Sequence, residues 1–184
     1  MQTTNLRLIL SWGAKPKDLD AYLVSFNDDG KCIVYHNKKN GDNCNSHNVT
    51  LNTDNTQSGL NGTEVISVDL EQYPEGRKYV YYIKDYTNRE ETNINMTWSD
   101  TNGRSIIYYP HHNPRTVYFN KETKGDERYL VVGCFDGPDF SNFKTVGKVT
   151  CSEPTSTDVC NNQVSCPSTF NTEAEIQPTE LPPS

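Results

Sequence analysis

Two aspartates, Asp18 and Asp20, stand two residues apart where a proline-containing turn leads into an apolar segment, in SWGAKPKDLDAYLVSF. Asp54 and Glu64 stand at the two ends of a polar loop that precedes another apolar segment. Hard cations such as Ca²⁺ take about six to eight oxygen ligands, and carboxylates supply most of the affinity. If the fold brings these four side chains to one end of a domain, they form a Ca²⁺ site there.

A simpler interpretation of the same residues stays open at this stage. Asp18 and Asp54 could accept hydrogen bonds from backbone donors within turns, while Asp20 and Glu64 face solvent. The chain has no twelve-residue acidic loop with a central glycine, so it does not contain an EF-hand.

The sequence contains no pattern that identifies an enzyme. It has no G-x-S-x-G, H-E-x-x-H or P-loop motif, and its four histidines are scattered. A glycosidase-type pair of carboxylates stays open, but the spacing selects no particular pair. We therefore expect a non-catalytic protein.

Charge and hydropathy narrow the possible partners. The formal net charge is −7 and no run of lysine or arginine occurs, which argues against binding to nucleic acid. No run of about 20 apolar residues is present, so we expect no insertion into a membrane. The chain as given begins without a recognisable signal peptide.

Cysteines and glycosylation sequons indicate an oxidising compartment. The six cysteines include no zinc-finger spacing, and their even number allows three disulfides. From neighbouring strands and one short loop we predict the pairs Cys32–Cys44, Cys134–Cys151 and Cys160–Cys166. The sequons predict glycosylation at Asn48, Asn61 and Asn95. Together these features favour a secreted or cell-surface protein.

The apolar residues alternate with a period of two, which indicates β-strands throughout. The predicted strands are 6–12, 21–26, 31–37, 49–52, 64–70, 77–86, 93–98, 104–109, 116–120, 128–135 and 143–151, with a loop at 38–48. Short strands at this regular spacing predict an all-β, antiparallel, Ig-like β-sandwich. We place this domain at residues 1–151. The Ser/Thr/Pro-rich segment 152–184 is then an extended linker or tail, stapled by a disulfide.

The order of several motifs resembles a known family. The W-G-x-x-P-x-D-L-D opening, the segment IVYHNKKN, the strand YVYYIKDYTN and the segment RYLVVGCFDG are similar to YfaP-like secreted β-sandwich domains over residues 6–150. The first half also resembles the calcium-binding tellurium-resistance TerD family, in DLDAYL and DNTQSGLNGTEVISVDL. That second resemblance implies a Ca²⁺ role for Asp18, Asp20, Asp54 and Glu64. This chain departs from the TerD pattern at LNGT, where the family has a run of acidic residues.

These observations lead to two functional hypotheses. The first is a non-catalytic structural or adhesive module of a larger extracellular or filamentous assembly, in which an exposed edge strand contacts other protein chains. The second is a calcium-dependent module that binds carbohydrate or peptide. Concentration-dependent assembly would support the first hypothesis. Ligand binding that EDTA abolishes would support the second.

Overall fold

The computed structural model describes residues 5–15, 18–27, 30–42, 49–53, 62–69, 78–86, 97–120, 128–136, 143–150 and 152–160. These residues contain eleven β-strands: β1 (Asn5–Trp12), β2 (Leu19–Asn27), β3 (Gly30–Tyr35), β4 (Lys38–Asp42), β5 (Val49–Thr53), β6 (Gly62–Asp69), β7 (Lys78–Asp85), β8 (Arg104–Tyr108), β9 (Arg115–Tyr118), β10 (Tyr129–Asp136) and β11 (Lys144–Thr150). No described segment forms a helix with the length and hydrophobicity that a membrane crossing requires.

The strands form two antiparallel sheets. Sheet A has the order β5-β6-β1-β8-β9, and sheet B has the order β11-β10-β7-β2-β3-β4. The predicted all-β architecture of two packed antiparallel sheets is confirmed. The alternation of β1 shows why the sheets pack, because Leu6, Leu8, Leu10 and Trp12 are all buried in the core between them.

Two of the predicted elements differ from the structure. The sequence predicts a loop at residues 38–48, but β4 forms from the first part of this polar segment and pairs with β3. The predicted strand 93–98 is not seen in its described part, because Trp98 lies in a turn that leads into a 3₁₀ helix at Ser99–Thr101. The partners of β8 are β1 and β9.

A disulfide holds the segment that follows the last strand against sheet B. Cys134 is bonded to Cys160, with their Cα atoms 6.0 Å apart. Val159 is buried beside this bond, so residues 152–160 pack on the sandwich. The predicted pair Cys160–Cys166 is therefore wrong, since Cys160 already has a partner.

The register of β10 and β11 explains why the predicted pair Cys134–Cys151 is also wrong. Cys134 lies opposite Lys144, whereas Thr150, which precedes Cys151, lies opposite Tyr129. Tyr129 is five residues away from Cys134 along β10, which corresponds to about 17 Å in a strand. A disulfide needs Cα atoms within about 7 Å of each other.

Some predictions fall outside the described residues. Cys32 is disulfide-bonded, but Cys44 is outside the described part, so the pair Cys32–Cys44 stays a prediction. The sequon asparagines Asn48, Asn61 and Asn95 are outside it as well.

The bond between Cys134 and Cys160 gives a first test. Digestion without reduction, followed by mass spectrometry, should recover the two cysteines in one linked pair of peptides. The two residues are separated by 26 positions. Replacing both by alanine should lower the free energy of unfolding by about 3–4 kcal/mol, because the unfolded chain gains the entropy of an open loop. Urea denaturation measures this loss, and a peptide joining Cys134 to Cys151 would contradict the structure.

Candidate metal centre

Three carboxylates from two sheets meet at one end of the sandwich. Asp18 immediately precedes β2 of sheet B, Asp20 is the second residue of β2, and Glu64 lies in β6 of sheet A. One carboxylate oxygen from each residue lies within 4.8 Å of the other two. The structure thus brings together three of the four residues that the sequence selects, and Asp54 lies outside the described residues.

The alternation of β6 directs Glu64 inward. Gly62, Glu64, Ile66 and Val68 are buried while the residues between them are partly exposed. Glu64 is paired in register with Leu10 of β1, which is also buried. A charged side chain therefore occupies a position in the row that otherwise builds the apolar core.

Glu64 also contacts the backbone of the opposite sheet. The peptide N–H of Ala21 in β2 donates to Oε2 of Glu64 at 2.6 Å. The pairing of β2 with β3 begins only at Leu23 and Val34, so β3 is not paired with β2 at Ala21. A side chain of sheet A thus takes the place of a neighbouring strand and connects the two sheets here.

The carboxylates of this cluster are shielded from water. Glu64 has 0% of its surface exposed and Asp20 has 2%, while Asp18 is half-buried. The interpretation in which Asp20 and Glu64 face solvent is therefore wrong. Burying a carboxylate is costly unless hydrogen bonds and an opposite charge compensate it, and nearby like charges raise that cost.

His36 is a basic side chain that contacts this cluster, and sequence reasoning did not select it. Its Nδ1 lies 3.3 Å from Oδ1 of Asp20, as an ionic contact without hydrogen-bond geometry. The ring also packs edge-on against Tyr35 and Tyr86, at centroid distances of 5.2 and 5.5 Å. One imidazole carries at most one positive charge, which is fewer than three ionised carboxylates would need for compensation.

The charge of Glu64 affects the pKa of the buried Tyr81 phenol. Burial raises the pKa of Tyr81, a hydrogen bond from the Ser105 hydroxyl at 2.8 Å opposes this, and the Glu64 carboxylate raises the pKa further. The phenol therefore stays protonated and neutral. A protonated tyrosine beside Glu64 adds no positive charge to the cluster.

The chemistry of the three side chains suits a hard cation. Two oxygens bound to the same Ca²⁺ at about 2.3–2.6 Å lie at most about 4.6–5.2 Å apart, and the observed limit of 4.8 Å fits this range. Zinc sites in proteins are usually built with histidine and cysteine, which this set lacks. Three carboxylates leave several coordination positions for backbone carbonyls, water or further side chains.

Comparison of the chain with models of protein families and with curated proteins finds no match. The resemblance to YfaP-like and TerD proteins therefore stays a prediction. The candidate site depends on the geometry of the three carboxylates alone.

Two substitutions of Glu64 separate its charge from its hydrogen bond. Glu64→Gln keeps an oxygen that can accept the Ala21 N–H and removes the negative charge. In EDTA we expect this variant to be at least as stable as the parent, because carboxylate repulsion is relieved. Glu64→Ala should lose at least about 1–3 kcal/mol, since the Ala21 N–H is left without its acceptor. Urea unfolding curves measure both values, and equal losses in the two variants would contradict this assignment.

Proposed function

We propose that this chain is a non-catalytic extracellular β-sandwich module whose two sheets are clamped by Ca²⁺, held by Asp18, Asp20 and Glu64. The observation that carries the proposal is that these carboxylates come from both sheets and approach within 4.8 Å. In the unfolded chain Asp20 and Glu64 are 44 residues apart and form no site. A cation bound only by the folded state stabilises that state.

The burial of the site favours a structural role for the cation over the exchange of ligands. Asp20 and Glu64 are almost completely buried, and Asp18 is the more exposed member of the set. Extracellular Ca²⁺-binding modules work at dissociation constants of about 0.1–1 mM. A site with three carboxylates in a secreted domain suits this range.

The module belongs, in this proposal, to a larger surface or filamentous assembly. Its sandwich is Ig-like, its sequons carry glycans, and its stapled C-terminal segment connects it to the next part. Contacts with other chains use the edge of β9, which is short and exposed except at Val117. The two edges of sheet B are poorer candidates, because β4 and β11 carry lysines that discourage strand addition.

A second function, Ca²⁺-dependent binding of carbohydrate or peptide, is favoured by the position of Tyr86. This ring is 53% exposed, and the backbone N–H of Tyr86 donates to the carbonyl oxygen of Asp18 at 3.3 Å. A sugar stacked on Tyr86 would lie next to the most exposed carboxylate. Binding that is lost in EDTA and in Tyr86→Ala would favour this second function.

The clamp predicts a Ca²⁺-dependent stability. At a hundredfold excess over the dissociation constant, Ca²⁺ should stabilise the folded state by about 2.7 kcal/mol. For a domain of this size that raises the melting temperature by about 5–10 °C relative to EDTA. Thermal unfolding of the unreduced full chain measures the shift.

Matched variants make this measurement specific. Asp20→Asn and Glu64→Gln should abolish the shift, because each removes a ligand charge while it preserves the shape of the side chain. Asp69→Asn, on the half-buried outward side of the same strand as Glu64, should retain it. The proposal fails if Ca²⁺ has no effect on the parent, or if all three variants respond like the parent.

A further inference from the structure

The outer face of sheet A carries an apolar row that crosses four strands. Val65, Ile9, Ile106 and Thr116 are consecutive partners in the register of β6, β1, β8 and β9. The three aliphatic side chains are partly exposed.

Two arginine–tyrosine pairs flank the row on opposite sides. Arg7 lies directly opposite Tyr108, and Arg104 lies directly opposite Tyr118. Tyr118 is 65% exposed and Tyr108 is 40% exposed. The two pairs are four residues apart along β8, which places the tyrosines about 14 Å from each other. The face therefore presents the same pair of side chains twice.

The outer face of sheet B is different, because it is already covered. Tyr82 is fully buried there and donates a hydrogen bond to Oε1 of Glu153 at 2.7 Å. Residues 152–160, fixed by the disulfide to Cys134, provide this cover. On sheet A, by contrast, the rings of Tyr108 and Tyr118 are exposed.

The described residues of this face carry more positive than negative charge, unlike the whole chain. The formal net charge of the protein is −7, yet the face displays two arginines. Arg104 donates from Nε to the Ser11 hydroxyl at 3.4 Å, and neither arginine is paired with a carboxylate in the described structure. Asp69 is an acidic residue at the end of β6, two positions beyond the partner of Arg7. A ligand that bears carboxylates would complement this face.

We propose that the outer face of sheet A binds an acidic oligosaccharide, with sugar rings stacked on Tyr108 and Tyr118 and carboxylates paired with Arg7 and Arg104. Sugar rings pack the apolar C–H groups of their faces on aromatic rings, and the planar guanidinium matches a carboxylate in a bidentate manner. Each exposed ring lies opposite an arginine in the register, so one sugar unit can stack on the ring while the arginine binds its carboxylate. A repeated arginine–tyrosine pair matches a polymer with a repeating unit.

The test uses the full chain and defined hexasaccharides. Oligogalacturonate, oligomannuronate and hyaluronan fragments are titrated by calorimetry, with a neutral galactan hexamer as the uncharged control. We expect at least one acidic probe to bind, the neutral probe to bind at least tenfold more weakly, and added salt to reduce the affinity. Tyr118→Ala and Arg104→Gln should each weaken binding by about tenfold or more, which corresponds to about 1.4 kcal/mol. Lys144→Gln removes an exposed positive charge from β11 of the other sheet and should bind like the parent.

The surface shares no residue with the carboxylate cluster, so the two proposals can fail separately. Binding measured in EDTA, at a temperature where the chain is folded, should match binding in Ca²⁺. The inference is overturned if none of the three acidic probes binds, or if Tyr118→Ala and Arg104→Gln bind as the parent does. It is also overturned if these variants change only the sedimentation of the protein, because the face would then be a contact between protein chains.

Discussion

The buried carboxylate of Glu64 is the constraint on which one end of the sandwich depends. It lies in a row with Ile66 and Val68 that faces the core, where an uncompensated negative charge is costly. The Ala21 N–H compensates part of that cost and at the same time connects sheet A to sheet B. The approach of Asp18 and Asp20 adds further negative charge, which is tolerable if a cation is bound among the three.

The two ends of sheet B are held by different means. Near the start of β2, where β3 is not paired with it, the Glu64 side chain accepts the backbone hydrogen bond that a neighbouring strand would accept. Further along the outer face, the Cys134–Cys160 bond holds residues 152–160 over the tyrosines of β2 and β7. The outer face of sheet A, by contrast, exposes Tyr108 and Tyr118.

The sequence predicts the strands well where apolar residues alternate, as in β1 and β6, because period two is a direct consequence of strand geometry. It misses β4, since the edge strand KKNGD has no apolar alternation. It places Glu64 among the candidate ligands, but burial could not be decided before the partner sheet was known. His36 has no spacing signal, because its contact with Asp20 is made through the turn that follows β3. The disulfide pairs could not be predicted reliably, since they depend on the register of β10 and on the path of the chain after β11.

The most direct measurement is a crystal structure of the full chain grown in millimolar Ca²⁺, with the anomalous signal recorded at long wavelength. A single calcium peak should lie about 2.3–2.6 Å from one oxygen each of Asp18, Asp20 and Glu64. The opposite result is a cluster with no calcium peak at that Ca²⁺ concentration, in which His36 or shared protons compensate the carboxylates. That result would show that the sheets are held together without a cation.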